Sequence, residues 1–222
     1  MELPRILGRT VGYKAGFTNP ELQKRASVSG PAWGVMFEKM MLDSGAKLPA
    51  KFGASPHYEA DLIAVVKDAG LASAKTPLEA LSHISHLAPF IELPDSMVEG
   101  PLNGIDAIAR NIAFRGGVLG PRVRVEPAQA TLDAIANMEV VMTEDRTSQE
   151  LGRARGDTLM GHPINAATWL ARALEKDGIA LKPGDLLSLG GYLPLAPVQP
   201  GTTITVKYVG LPGNPSATVL FE

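Results

Sequence analysis

A β-rich α+β fold with short helices between its strands is predicted by three observations. Glycine and proline number 23 and 18 and are spread along the whole chain, which favours short elements and turns over long helices. Two-residue alternation marks strands, as at residues 203–209, where Thr203, Thr205 and Lys207 oppose Ile204, Val206 and Tyr208. The clearest helical spacing lies at residues 163–176, with Ile164, Ala167, Leu170, Ala171 and Leu174 on one face and Gly178 as a stop.

In chain order, residues 11–18 are predicted as a first strand and residues 20–28 as a short helix with Pro20 at its start. Residues 33–42 read as a second short helical or irregular stretch. Residues 57–66 form a strand. A helix then starts at Thr76-Pro77-Leu78-Glu79, where Thr76 caps, Pro77 suits the first turn and Glu79 completes a capping box. Residues 86–93 return as an apolar strand, and residues 103–114 read as a helix. Residues 138–143 are a strand closed by the polar turn Glu144-Asp145-Arg146-Thr147. With strands at 186–189, 203–209 and 217–221, the C-terminal third reads as a small β unit. No repeat, low-complexity tract or linker interrupts this order, so one domain spanning residues 1–222 is expected.

The chemistry concentrates in the strand His57-Tyr58-Glu59-Ala60-Asp61-Leu62-Ile63-Ala64-Val65-Val66. Alternate side chains of a strand share a face, so Glu59 and Asp61 point one way while Ala60, Leu62, Ala64 and Val66 form an apolar opposite side. Glu92 follows in a second apolar segment. Carboxylates on buried strands repel one another and lose hydration, so they need a cation, a base or strong donors nearby. With no cysteine and only 4 histidines in the chain, such oxygens suit a hard divalent cation, Mg²⁺ or Mn²⁺. Solvated strand-edge carboxylates paired with Arg or Lys are the alternative.

Composition removes several classes of function. The formal charge is −2 and the basic residues are scattered, so no stripe suited to a nucleic-acid backbone exists. No apolar run reaches the length of a membrane span, and Met1-Glu2-Leu3-Pro4-Arg5 lacks the start of a signal peptide. A cytoplasmic location is expected, although a chain without thiols is equally allowed in an oxidising compartment.

Four motifs follow in a fixed order: Val11-Gly12-Tyr13-Lys14-Ala15-Gly16-Phe17-Thr18, the Glu59-Ala60-Asp61 strand with Glu92, the run Gly161-His162-Pro163-Ile164-Asn165-Ala166-Ala167-Thr168-Trp169, and Pro183-Gly184-Asp185-Leu186-Leu187. As a set they resemble the 2-keto-4-pentenoate hydratase and 4-oxalocrotonate decarboxylase branch of the fumarylacetoacetate hydrolase superfamily. The resemblance covers nearly the whole chain, starting where the family's N-terminal helical segment has ended. It implies a mixed β-sandwich roll with short flanking helices, Mg²⁺ or Mn²⁺ held by Glu59, Asp61 and Glu92, a small 2-oxo acid or dienol substrate, and a homo-oligomer. The implied activity is that of a hydro-lyase adding water through a dienolate. Loss of CO₂ and binding without turnover are the alternatives.

The resemblance places Lys14 beside the substrate, as a ligand of its carboxylate or a proton carrier that contributes little to folding. His162 is a second catalytic candidate, with capping of the following helix as the competing role. Ser188 and Gly190 are candidate substrate contacts, the glycine through its backbone amide. Asp157 either caps a turn or faces the site, and Trp169 is expected in the core. Two departures from the family stand out. Hydratases carry an Asp just before the Phe-Gly matching Trp33-Gly34, where this chain has Ala32, and they end the late strand with Thr-Gly, where it has Leu189-Gly190. The His-and-Glu lid by which carbon–carbon hydrolases of the superfamily activate water is also missing.

Overall fold

The computed structural model describes residues 3–97 and 103–222. The expectation about the chain start rests partly on Met1 and Glu2, which lie outside that range. Fourteen strands occur among the described residues: β1 (Thr10–Gly16), β2 (Ala32–Phe37), β3 (Met41–Asp43), β4 (Ala46–Leu48), β5 (His57–Val66), β6 (Ile84–Pro94), β7 (Phe114–Leu119), β8 (Val123–Arg124), β9 (Glu139–Glu144), β10 (Gln149–Arg155), β11 (Leu186–Ser188), β12 (Ala196–Pro197), β13 (Thr203–Val209) and β14 (Ser216–Phe221). The helices are α1 (Leu3–Leu7), α2 (Pro20–Ala26), α3 (Pro77–Ser82), α4 (Gly104–Ala109), α5 (Gln129–Asn137) and α6 (Pro163–Lys176). Among the described residues no helix is long and apolar enough to cross a membrane.

The strands form two mixed sheets. The nine-stranded one runs β2-β1-β11-β5-β6-β7-β3, with β12 beside β5 and β8 beside β6, and the five-stranded one runs β10-β9-β13-β14-β4. β5 and β6 lie at the centre of the larger sheet because both are apolar almost throughout. On one side of that pair, Ala60, Leu62, Leu87 and Ile91 pack with Val140, Val206 and Val219 of the smaller sheet and with Leu170 and Leu174 of α6. On the other side, Ile63, Val65, Ala88 and Phe90 pack with Met36, Phe114 and Leu186. The acidic face of β5 belongs to this second side.

Local signals explain the helix starts. Asn19 caps α2 by accepting from Glu21 N at 2.8 Å, and Thr76 caps α3 by accepting from Glu79 N at 3.1 Å. The capping box closes one residue further back than expected, because Glu79 Oε2 accepts from Lys75 N at 2.7 Å. α6 spans the predicted residues, and Gly178 follows it in the left-handed region at φ 77°.

Three expectations change. Residues 33–42 are not helical: β2 pairs antiparallel with β1 over Ala32–Phe37, and a 3-10 turn at Glu38–Met40 leads into β3. Long-range pairing to β1 outweighs the local pattern there. In residues 103–114 the helix stops at Ala109, and Asn111, Ile112 and Ala113 adopt left-handed conformations, with φ of 60°, 53° and 59°, before Phe114 enters β7. The C-terminal third is no separate β unit, since β11 joins the large sheet between β1 and β5 while β13 and β14 join the small one.

Candidate metal and substrate site

Register places the acidic residues side by side. Glu59 lies directly across from Glu92 in the β5–β6 pair, and Asp61 lies across from Phe90. β11 brings Ser188 opposite Ile63, and β1 brings Lys14 opposite Ser188. Residues paired across strands project to the same face, so Lys14, Ser188, Asp61, Glu59 and Glu92 cover one continuous patch. It is nearly dry: Lys14 is 3% exposed, and Asp61, Glu92 and Ser188 are 0% exposed. Only Glu59 keeps part of its surface open.

Each polar group has a distinct partner. Lys14 Nζ donates to Glu92 Oε1 and lies 5.8 Å from the centre of the Phe114 ring. Among the described residues no donor reaches the buried Glu92 Oε2, and the carboxyl of Glu59 lies close to the Glu92 side chain. Asp61 Oδ2 accepts from the Ser188 hydroxyl at 2.5 Å, and its Oδ1 accepts from Leu189 N at 3.1 Å and Gly190 N at 3.0 Å. The Tyr208 hydroxyl, reaching over from the small sheet, donates to the Asp61 carbonyl. Gly191 makes room for Glu59, because a Cβ at 191 would lie 2.2 Å from Glu59 Oε2.

Electrostatics follow from this burial. Desolvation and the Glu92 charge push the Asp61 carboxyl up to about 7, against the pull of Ser188 and Lys14. Glu59 is raised well above the usual carboxylate range, first by burial and then by Glu92. For Lys14, burial acts to lower the pKa, but Glu92, Glu59 and Asp61 together outweigh it and the net shift is upward. The lysine is therefore held as a cation.

The acids share a face without forming a ready-made cage: among the described residues no three His, Cys, Asp or Glu side chains are arranged as a preformed metal-ligand group. Lys14 occupies one Glu92 oxygen, and donors from β11 and the residues after it occupy Asp61. The set nonetheless fits a divalent cation. A buried carboxylate oxygen that no donor among the described residues reaches, flanked by two acids whose charges burial disfavours, is an uncompensated negative patch. All-oxygen donors suit Mg²⁺ or Mn²⁺.

The structure thus brings together Lys14, Glu59, Asp61, Glu92, Ser188 and Gly190. The Ser188 hydroxyl and the Gly190 amide both donate to Asp61, helping to satisfy a buried carboxylate. His162 stays outside the patch. Its Nδ1 accepts from Ile164 N at 3.1 Å and its Nε2 bonds to the Leu132 carbonyl at 3.1 Å, so both ring nitrogens cap and dock α6. Asp157 pairs with Arg155 at 3.3 Å on the surface. The Leu189 amide and the Tyr208 hydroxyl were not legible beforehand, since a backbone amide leaves no side-chain signature and Tyr208 reads only as the apolar face of a strand.

At the free edge of the large sheet lies a groove of about 870 Å³ lined by Ala32, Trp33, Gly34, Asn111, Trp169 and Asp177 among others, and by neither Lys14 nor the acids of the patch. Ala32 and Gly34 face the same side as Lys14, in register with Gly16 and Lys14 respectively. Ala32, where the resemblance leads one to expect an Asp, therefore lies on the Lys14 side of β2, two residues along from the lysine's own partner Gly34. Trp169, expected in the core, is half-buried at this wall.

No protein-family model matches the chain. A 2-keto-4-pentenoate hydratase of Dechloromonas aromatica (strain RCB) is 30% identical over 210 residues, covering 94% of this chain and 78% of that protein. A 4-oxalocrotonate decarboxylase of a Pseudomonas species is 29% identical over 204 residues, covering 91% and 76%. The solved 4-oxalocrotonate decarboxylase of Pseudomonas putida G7, complexed with magnesium and adipate, superimposes with a TM-score of 0.83 at 23% identity, over 99% of this chain and 81% of that one. With a relative of that name at 30% identity over 94% of its length, the chain belongs to the 2-keto-4-pentenoate hydratase family, and it shares the fold of the solved 4-oxalocrotonate decarboxylase.

Proposed function

We propose that the protein is a divalent-metal-dependent lyase acting on 2-oxo acids or their dienols, with 2-keto-4-pentenoate hydratase-like water addition as its reaction. The observation that carries this reading is the buried patch in which Lys14 neutralises only one oxygen of Glu92 while no donor among the described residues reaches Oε2. The hydratase and decarboxylase names of its relatives and the magnesium in the decarboxylase structure support it. Glu59, Asp61 and Glu92 would hold Mg²⁺ or Mn²⁺. Such a cation supplies positive charge where an enolate develops.

The chain's own groups do the rest. Lys14 is kept protonated by the acids around it, so it acts as an electrostatic anchor for the oxo-acid end; an ammonium whose pKa is raised is a poor proton carrier, so the proton-carrying role falls away. Ser188, Leu189 and Gly190 lock the Asp61 carboxylate in one orientation, so no reorganisation is needed when substrate arrives. Burial of Phe90, Phe114 and Lys14 excludes bulk water and strengthens each charge interaction. The whole chain would act as one domain, in a homo-oligomer located in the cytoplasm and without nucleic-acid binding.

Decarboxylation of a 2-oxo-enedioate is the second reading. It is favoured by Ala32, which puts no carboxylate on the Lys14 side of β2 to handle a distal proton during hydration; Asp177, an acid lining the groove at that edge, is bound by Trp33 Nε1 at 2.8 Å. A panel of 2-hydroxydienoates and 2-oxo-enedioates with Mg²⁺ or Mn²⁺, followed by loss of dienol absorbance, separates the outcomes. Turnover of the dienoate supports the hydratase, and CO₂ release from the enedioate supports the decarboxylase. Calorimetric binding of metal and oxalate with no turnover of any member would replace the enzyme by a binding protein.

A further inference from the structure

β2 is the edge strand of the large sheet, so half of its backbone groups lack a strand partner. At Val35 that deficit is filled by one side chain. Asn111 Oδ1 accepts from Val35 N at 2.6 Å, and Asn111 Nδ2 donates to Val35 O at 2.8 Å. The amide stands in for a neighbouring strand and pins the edge in both directions. Asn111 also opens the left-handed run through Ile112 and Ala113. A β-branched residue such as Ile112 adopts that conformation only where its surroundings over-determine it.

What the turn touches is the lysine strand. A Cβ on Gly34 would lie 2.8 Å from Asn111 Oδ1, 3.1 Å from Asn111 O and 3.3 Å from Lys14 Cγ. A Cβ on Gly16 would lie 2.5 Å from Ile112 Cγ2. Two glycines flanking Lys14, one on β1 and one across on β2, therefore let the turn settle onto the same face as the lysine. Phe114, immediately after the turn, supplies the ring beside Lys14 Nζ. The geometry points to Asn111 as a positioning residue: by clamping Val35 at the head of a left-handed turn, it holds the stem of Lys14 in place and keeps the ammonium on the carboxylate patch.

This inference rests on the reading of Lys14 as a substrate-contacting group, and its test separates the two. Lysine footprinting by reductive methylation and mass spectrometry, on the full chain, compares wild type with Asn111→Gly and Asn111→Asp, with exposed Lys24 and Lys51 as internal references. Asn111→Gly relieves the left-handed strain at residue 111 and removes the clamp. Asn111→Asp keeps the acceptor for Val35 N and loses the donor. The expected result is a labelling rate at Lys14 raised roughly tenfold or more in Asn111→Gly and less in Asn111→Asp, with Lys24 and Lys51 unchanged. The kcat for the dienol should fall in the same order, and calorimetric Mg²⁺ affinity should stay within about threefold. Unchanged Lys14 labelling in a folded Asn111→Gly protein overturns the inference. So does failure of both variants to fold, which would make Asn111 structural, whereas faster labelling without any loss of kcat upholds the clamp and overturns the reading of Lys14 as a substrate contact. If wild type turns over no substrate, the lyase reading fails alone, and the labelling comparison still decides the clamp.

Discussion

Lys14 is the residue on which stability and chemistry meet. The sequence reading gave it little part in folding, but its ammonium is buried against Glu92, and removing one partner of a buried ion pair leaves an uncompensated charge that costs about 3–5 kcal/mol. Lys14→Met is therefore expected to lower the melting temperature clearly at neutral pH. A divalent cation should restore part of that loss, because it would answer the same carboxylates. Ligand excess of a hundredfold over Kd contributes about 2.7 kcal/mol. The thermal shift produced by Mg²⁺ should then be larger in Lys14→Met than in wild type, and equal shifts would show that ammonium and metal do not share a site. His162 gives the opposite profile. With Nδ1 capping α6 and Nε2 bonded to the Leu132 carbonyl of α5, His162→Ala should cost about 1 kcal/mol, while His162→Asn keeps most of the cap. In both variants kcat should stay within about twofold of wild type, and a large loss of kcat at unchanged stability would return His162 to the chemistry.

Among the elements, the β9–β10 hairpin shows how one carboxylate organises a turn. Glu144 accepts from the Thr147 hydroxyl at 2.6 Å, from Thr147 N at 2.8 Å, from Arg146 N at 3.1 Å and from Thr203 N at 3.2 Å. The Thr147 hydroxyl first, and then the backbone amides, hold its pKa down to about 2. A carboxylate whose folded pKa is depressed stabilises the fold above its unfolded pKa, and that contribution disappears as pH falls through the folded value. The hairpin should thus weaken between the ordinary glutamate range and about 2. Melting curves across this window should show Glu144→Gln losing less stability on acidification than wild type. Parallel curves would place the acid sensitivity elsewhere.

For the molecule as a whole, the arrangement is a charged patch on one face of the large sheet, beside the apolar cluster of Ile63, Val65, Phe90 and Phe114 and with the main core on the other face, while a separate groove lies at the edge where that sheet ends in β2. Ala32 stands on the Lys14 side of β2, and the proposed hydration needs an acid–base group near the substrate's distal carbon. Placing a carboxylate there, in Ala32→Asp, should raise hydration of 2-hydroxypenta-2,4-dienoate by a factor on the order of 10²–10⁴ if an acid–base group has been supplied. A wild type that already hydrates the dienol rapidly, with no gain in the variant, would show that Ala32 is no functional departure. A gain in hydration at the expense of enedioate decarboxylation would place the choice between the two reactions at this position.

Short-range physics made much of this legible from sequence alone. The alternation in β5 and β13, the cap at Thr76 and the helical spacing of α6 depend on neighbours a few residues away, and each appears where expected. The shared face of Glu59 and Asp61 followed from the same two-residue period. The strand at Ala32–Phe37 and the left-handed turn at Asn111 did not follow, because edge pairing and a glycine-lined seat are supplied by distant segments. Likewise, α5 starts without a side-chain cap and β7 carries two adjacent glycines, so neither announces itself locally. Ser188 and Gly190 could be chosen from sequence, but their task of holding Asp61 could not, since it depends on β11 lying beside β5. Local patterns determined which residues are strand, helix and acid; long-range pairing decided which buried charge each donor answers, because an unpaired buried carboxylate recruits whatever the tertiary fold places within reach.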